Sequence, residues 1–587
     1  MKRKLMILLG CCLGLNSCYE LDLNPLSQAS SENWYSSETE IEMSVKDFYR
    51  NDFWPLDNED KTDDFIYRET PSEILKGTFN GQDGDVTTLW SNQYKSIGRA
   101  NTILANMDKA ASMGISEAKL KQYEGEALFQ RASCYARLVT YFGDVIYLTE
   151  VVDIEEAFTL GRTPKSEIIP KIYEDYDKAI ENLPEKYSAL SSQRATKGAA
   201  LALKARFALY MGDWEIAADA AKRCMDLGLY KLHPDYAELF KATTRNSEES
   251  IFLLPRSIEY KVTLGNWTVM NEVSRNPGGW GAFTPSWDLL AAYECTDGLP
   301  VDESPLFDPH NPFKNRDPRC TATIVEFGTR HLGFDYNPHP DAVEVMNYNT
   351  GKMQKNNDAR VNAQFASFNG LLWKKGIDET WLENGKDVDP DKIIIRYADV
   401  LLMYAEAKIE LNQIDQSVLD AINRVRARAY GVDYTNISAY PAITTTSQQK
   451  LRTIIRNERR VEFAKEGLRY MDLVRWKIAG KALTRPNYGM LYPVSLLREK
   501  IIDKGLWFWP DVPQIDEDGI PDFSAMEKAG LIAPMSQRMW NDRQYLWPIP
   551  TKEVLINENL KQNPGYNSYI GSSLVLMRIS VERSLYC

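Results

Sequence analysis

The sequence predicts a mainly α-helical protein: a tetratricopeptide-like helical repeat scaffold carrying a large loop-rich insertion. Three observations predict it. Apolar residues recur at helical spacing over several long segments. Two alanine-rich helical hairpins lie far apart in the chain. The stretch between them is dense in Gly, Pro, Asn, Asp and Trp, with few long periodic segments.

The elements follow in chain order. Residues 18–85 read as a polar arm with one or two helices, one of them near Glu40 to Tyr49. From Trp90 the apolar positions Trp90, Tyr94, Ile97 and Ile103 keep helical spacing, and Leu120 to Tyr141 does the same through Tyr123, Ala127, Phe129, Ala132 and Leu138. Helices are then expected over Lys165 to Asn182, Lys197 to Met211 and Trp214 to Leu227. Only Gly212-Asp213 separates the last two, which makes them a hairpin. Its alanines permit close helix approach. A second hairpin runs from Tyr397 to Leu411 and, through Asn412-Gln413, from Val418 to Ala429. No strict 34-residue period is visible, so the scaffold is read as repeat-like. The expected divisions are 1–17, 18–85, 86–229 (helical), 230–390 (insertion and ligand face), 391–566 (second hairpin) and a tail, 567–587.

The start of the chain fixes its destination. Lys2, Arg3 and Lys4 precede an apolar run from Leu5 to Leu15, the layout of a secretory signal. That run is well short of the roughly 20 residues that span a bilayer as a helix. Leu15-Asn16-Ser17-Cys18 has instead the layout of a bacterial lipobox. Cys18 is therefore expected to carry a thioether-linked lipid, with acylation of the freed amine as a second membrane signal. The alternative is an ordinary residue beside a cleavage site.

Composition excludes several classes of function. The net charge of −13 repels nucleic acid. Beyond Cys18, the cysteines Cys134, Cys224, Cys295, Cys320 and Cys587 are scattered without CxxC spacing, which argues against a disulfide framework or a structural zinc site. The 4 His form no HExxH, and neither a phosphate-binding glycine loop nor a GxSxG elbow is present, so no metal, cofactor or catalytic residue is expected. Asp516 to Asp522 carries alternating carboxylates but departs from the EF-hand pattern, and reads as a solvated turn. The most charged block, Glu458 to Trp476, places Arg459 with Glu462, Arg469 with Asp472 and Asp472 with Arg475 at i, i+3, spacing that suits pairing rather than catalysis.

Several blocks are similar to those of the SusD/RagB family. They include Arg396-Tyr397-Ala398-Asp399-Val400-Leu401-Leu402-Met403-Tyr404-Ala405-Glu406-Ala407, Asn423-Arg424-Val425-Arg426-Ala427-Arg428-Ala429 and Glu458-Arg459-Arg460-Val461-Glu462-Phe463. Gly467-Leu468-Arg469-Tyr470-Met471-Asp472-Leu473-Val474-Arg475-Trp476, Tyr545-Leu546-Trp547-Pro548-Ile549-Pro550 and Gln562-Asn563-Pro564-Gly565-Tyr566 complete the set. The resemblance covers almost the whole mature chain, departing only from Asn567 onward. It implies a tetratricopeptide-like scaffold with a loop-rich face, tethered by lipid to the outer membrane and exposed outward. It also implies a SusC-like TonB-dependent transporter as partner, over which the protein acts as a lid, and an oligosaccharide, less often a peptide, as ligand.

A sugar-binding surface needs a flat aromatic face with amides, carboxylates or Arg beside it. The insertion supplies Asn266-Trp267, Arg275-Asn276-Pro277-Gly278-Gly279-Trp280 and Phe334-Asp335-Tyr336-Asn337. Trp280, beside two glycines, has the fewest partners to bury it and is the leading candidate, with Trp267 and Tyr336 beside it. The resemblance adds Asp63, Asp64, Arg68 and Trp90, near the arm and first long helix. Trp90 shares a helical face with Tyr94 and Ile97, so packing accounts for it about as well. The expected function is cell-surface glycan binding without catalysis. A peptide receptor of the same architecture, a surface glycoside hydrolase and a purely structural lipoprotein are the alternatives.

Overall fold

Helices form where the sequence supplies both a cap and an apolar stripe. The computed structural model describes residues 35, 37–56, 59–187 and 194–566. The signal segment, Cys18, Cys587 and the tail 567–587 lie outside the described residues. In the arm, α1 (Glu38–Lys46) starts at Ser37, whose hydroxyl accepts from the Glu40 amide. Asp83 caps α2 (Gly84–Ala105) and Ser116 caps α3 (Glu117–Phe142). Then come α4 (Lys165–Asn182), α5 (Lys197–Met211), capped by Thr196, and α6 (Trp214–Asp226). Helix α3 packs between α2 and α4, and α5 packs on α6. Gly198 is required at the start of α5, because a Cβ there would stand 1.9 Å from the Tyr230 hydroxyl.

The arm contributes a short strand, β1 (Phe65–Tyr67). The insertion is entered through β2 (Ser250–Leu254) and continues through α7 (Asn266–Glu272) and β3 (Phe283–Pro285), which pairs antiparallel with β1. A four-stranded antiparallel meander follows: β4 (Thr329–His331), β5 (Phe334–Tyr336), β6 (Glu344–Asn347) and β7 (Lys352–Lys355). The chain leaves through β8 (Lys392–Arg396), antiparallel to β2, so entrance and exit close on each other. Helix α8 (Tyr397–Glu410) then lies against α6 and against α9 (Gln416–Ala429), with α10 (Gln448–Glu462) and α11 (Arg469–Arg475) following. The two hairpins are therefore adjacent in space, and the repeat stack resumes after the insertion as if uninterrupted. Among the described residues, no helix is long and apolar enough to cross a membrane.

The insertion is loop-rich yet not loose. Trp287, Tyr293, Trp373 and Trp509 are fully buried in a second core, shared with residues 488–532 and distinct from the helical core. An aromatic-rich composition thus serves packing before it serves binding.

A buried ion network joins the two parts. Glu462, the last residue of α10, accepts from Arg396 (2.8 Å), Arg428 (2.5 Å) and Arg319 (2.9 Å), residues of β8, α9 and the insertion. Burial alone would raise its pKa, but the three guanidiniums outweigh burial and hold it far below the ordinary carboxylate range. The expected i, i+3 pairs are corrected here. Only Asp472 with Arg475 forms (2.8 Å). Arg459 reaches Asp399 and Asp472, and Arg469 reaches back to Asp63 in the arm. Tertiary partners, fixed in place and shielded from water, win over neighbours one helical turn away. The carboxylates of Asp516 and Asp518 are engaged by Lys481, and by Arg485 and Arg456 respectively. Cations of the protein already fill that turn.

Candidate functional site

Two features adjoin the ribbon of β1 and β3. One is a cleft of about 760 Å³ between the arm and the insertion, walled by Tyr67, Leu253, Leu264, Trp267, Phe283 and Trp381. This is the size of a small-molecule or sugar site. Lys375 and Glu466 at its edge pair with each other at 2.6 Å. Burial and the neighbouring Asp64 push the Glu59 carboxyl, another wall group, up to about 8. Trp267 is 57% exposed, with its ring edge-on to Phe283 at 5.3 Å.

A second aromatic surface is built around Trp280, which is 41% exposed. Its presentation is set by the turn before it. The buried carboxylate of Asp358 accepts from the amides of Arg275 (2.7 Å) and Asn276 (3.2 Å), and the Trp280 amide donates to Met270 of α7. Burial pushes Asp358 up to about 6 despite those donors. Gly279 cannot be replaced without moving the turn, because a Cβ there would lie 2.1 Å from the Val273 carbonyl oxygen. Gly279→Ala is expected to cost about 1–3 kcal/mol, read as a drop in the denaturation midpoint, with loss of protection of the 275–280 amides in hydrogen exchange.

Arg68 ties this turn to a second loop. Its Nη1 donates to the carbonyls of Trp280 (3.0 Å) and Phe365 (2.6 Å), and its guanidinium lies 5.4 Å from the Phe365 ring centre. Phe365 is 50% exposed. Arg360, on the same loop, lies between the rings of Phe368 and Tyr492, at 4.2 and 3.9 Å, and Tyr492 is 51% exposed. The loop residues Trp280 and Phe365 and the nearby Tyr492 are thus presented to solvent on anchored backbones, which suits them to lie against a ring with little ordering cost.

The other sequence candidates lie elsewhere. Asp63 and Asp64 are buried and bound by Arg460 and, for Asp63, Arg469, with bonds of 2.6–3.0 Å. Their expected place on a ligand surface is corrected: their role in this geometry is to dock the arm. Trp90 is buried against Tyr94 (4.9 Å) and Phe142 (5.1 Å), as its helical face allowed. Tyr336 is likewise buried, its hydroxyl donating to the Gly370 carbonyl, because the two-residue period of β5 turns it inward with Phe334. Phe365, Arg360 and Tyr492 were not singled out from sequence. Phe365 carries the signal that pointed to Trp280, an aromatic among small and polar loop residues, in Gln364-Phe365-Ala366-Ser367.

The fold is thus a helical repeat scaffold that presents aromatics on the loops of a large insertion. Residues 248–566 match the model of the SusD family, and residues 22–209 match the model described as starch-binding associating with outer membrane. The chain belongs to the SusD family. It is 26% identical over 581 residues to the SusD-like protein P2 of Formosa agariphila, covering 94% of this chain and 98% of that one. Its fold is similar to a SusD-like carbohydrate binding protein from Bacteroides fragilis, with 28% identity, a TM-score of 0.72 and coverage of 90% and 99%. A second SusD-like protein of that organism aligns with a TM-score of 0.68 at 25% identity, covering 92% and 99%.

Proposed function

We propose that this protein binds oligosaccharide or polysaccharide at the cell surface, without cleaving it, and passes it to a SusC-like TonB-dependent transporter in the outer membrane. A lipid on Cys18 tethers it there. The observation that carries the reading is the loop-borne aromatic surface of Trp280 and Phe365 beside the cleft of Trp267, on the scaffold of a family whose models and relatives are described by starch and carbohydrate binding. Apolar sugar faces stack on such rings while the arginines and loop amides reach hydroxyls. The buried ion pairs of Glu458, Arg459 and Glu462 join separate elements and hold the fold together.

Calorimetric titration of the mature, detergent-solubilised protein against defined polysaccharides and peptides, with product analysis of each mixture, tests this. Saturable glycan binding without cleavage is expected. Trp280→Ala is expected to weaken it roughly tenfold, about 1.4 kcal/mol, typical of losing one aromatic face. Released oligosaccharide would make the protein a hydrolase, peptide-only binding a peptide receptor, and binding of neither a structural lipoprotein.

A further inference from the structure

The aromatic surface carries more positive charge than the protein can neutralise there. We propose that the glycan taken by this site is anionic, and that Arg275 and Arg360, with Arg68 and Lys386, receive its carboxylates or sulfate esters. The inference rests on the glycan-receptor reading above and names the chemistry of its ligand.

Elsewhere in the molecule six buried arginines are matched by carboxylates, whereas Arg256, Arg316 and Arg543 are held by backbone carbonyls. Arg319, Arg396, Arg426, Arg428, Arg459 and Arg460 each meet at least two carboxylates within 4.0 Å. The cations around Trp280 are set apart by their place beside exposed rings. Among the described residues, Arg68, Arg275, Arg360 and Lys386 are half-buried and have no carboxylate within 4.0 Å.

Arg68, Arg275 and Lys386 share one patch, and Arg360 lies on the loop that also carries Phe365. Arg68 is bonded to the carbonyls of Trp280 and Phe365, and its pKa is lowered by burial and by the nearby Arg275. Arg275 begins the Trp280 turn. Lys386 Nζ lies 3.4 Å from where a Cβ on Gly278 would stand. Arg360 joins the patch through Asp358, two residues before it, whose carboxylate holds the Arg275 and Asn276 amides. That carboxylate is buried and is shared between those backbone donors and the charge of Arg275. Glu69, the acid nearest Arg68, already accepts from the Tyr67 hydroxyl.

Like charges converging with only Glu69 and the buried Asp358 to oppose them are unfavourable in the free protein and become favourable when an oxyanion arrives. Because the whole chain is acidic, at −13, this cationic patch is a local exception to a field that repels acidic polymers. Guanidiniums stacked on rings, as Arg360 is on Phe368 and Tyr492, keep their planar donor edge in fixed orientation for a carboxylate or sulfate.

The test uses the mature, detergent-solubilised protein in calorimetry against two acidic polymers and their neutral counterparts. Polygalacturonate carries carboxylates only and is paired with its carboxyl-reduced form. Carrageenan carries sulfate esters only and is paired with its desulfated form. Laminarin serves as an unrelated neutral glycan. At least one acidic polymer is expected to bind about tenfold or more tightly than its counterpart, and which one does tells carboxylate from sulfate. Binding should weaken as salt rises from about 50 to about 500 mM. Arg275→Gln and Arg360→Gln should each weaken it about fivefold, while the lysine variants retain part of it. Equal or tighter binding of the neutral forms or of laminarin overturns the inference and leaves the receptor reading standing. Acidic-polymer binding indifferent to both substitutions also overturns it. Binding of no glycan at all removes the receptor reading itself. The comparison between polymers is made on the unaltered protein, so the inference stays testable should a variant fold poorly.

Discussion

Replacing Glu462 with glutamine is expected to lower stability by about 3–5 kcal/mol, or to prevent folding where the margin is smaller. The carboxylate sits where three elements converge, and Arg319, Arg396 and Arg428 all donate to it. Glutamine keeps the shape but removes the charge, and its amide group turns donors toward donors. Three buried guanidiniums then face one another with one counter-charge fewer. Equilibrium denaturation in guanidinium measures the loss. The exposed Glu517→Gln, which removes only a contact to Lys481, should leave the midpoint unchanged.

The pH dependence of that loss has a defined sign. The pKa of Glu462 is depressed in the folded state, so its stabilisation is present above its unfolded value near 4.5 and is lost as pH falls below it. The wild type and Glu462→Gln should therefore differ most at neutral pH and converge under acid. A difference that stays constant as pH falls from about 4.5 to about 2.5 would show that the carboxylate's charge is not what stabilises the junction.

What could be read from the chain followed the distance over which each decision is made. Helices are local: the expected Lys165 to Asn182 and Lys197 to Met211 coincide with α4 and α5, and the second hairpin differs only by a residue or two at its ends. Caps and apolar period act within a few residues of one another. That the hairpins touch was harder to see, since β2 and β8 close the insertion across more than a hundred residues. Side-chain roles were hardest. The resemblance pointed to Asp63 and Asp64 as ligand residues, and their burial was not legible because their partners Arg460 and Arg469 lie some 400 positions away. Trp90 and Tyr336 carry rings like those of Trp280 and Trp267, and only backbone period and neighbours decide which rings are buried. Trp280 was legible because glycines beside it deny it packing partners. The arginines around it gave no such sign, since an unpaired guanidinium is recognised only when the carboxylates of the rest of the fold have been placed.

Arg460→Met should cost a comparable 3–5 kcal/mol at pH 8, for a reason that also reaches the binding surface. Arg460 donates to Asp63 (3.0 Å), to Asp64 (2.6 and 3.0 Å) and to the Gly519 carbonyl. Without it Asp63 keeps Arg469, but Asp64 is left buried with no close cation; Arg469 Nε stands 3.9 Å away. Burial, against the pull of Arg460, already raises the Asp64 pKa, with Asp63 adding to it, and losing Arg460 raises it further. A group whose folded pKa is raised favours the folded state below its unfolded value near 3.8, and that contribution is lost as pH rises through the folded value. The deficit of Arg460→Met should therefore shrink on acidification from pH 8 toward 5, and adding Asp64→Asn should restore part of it at pH 8. A deficit independent of both would place the cost in lost packing of the arginine stem instead. The acids immediately precede β1 and Arg68, which holds the carbonyls of Trp280 and Phe365. Weakening the arm's buried anchor should therefore also loosen glycan binding at a surface the substituted residue does not touch. Titration of Arg460→Met below its unfolding transition would show that coupling as weaker affinity with unchanged stoichiometry.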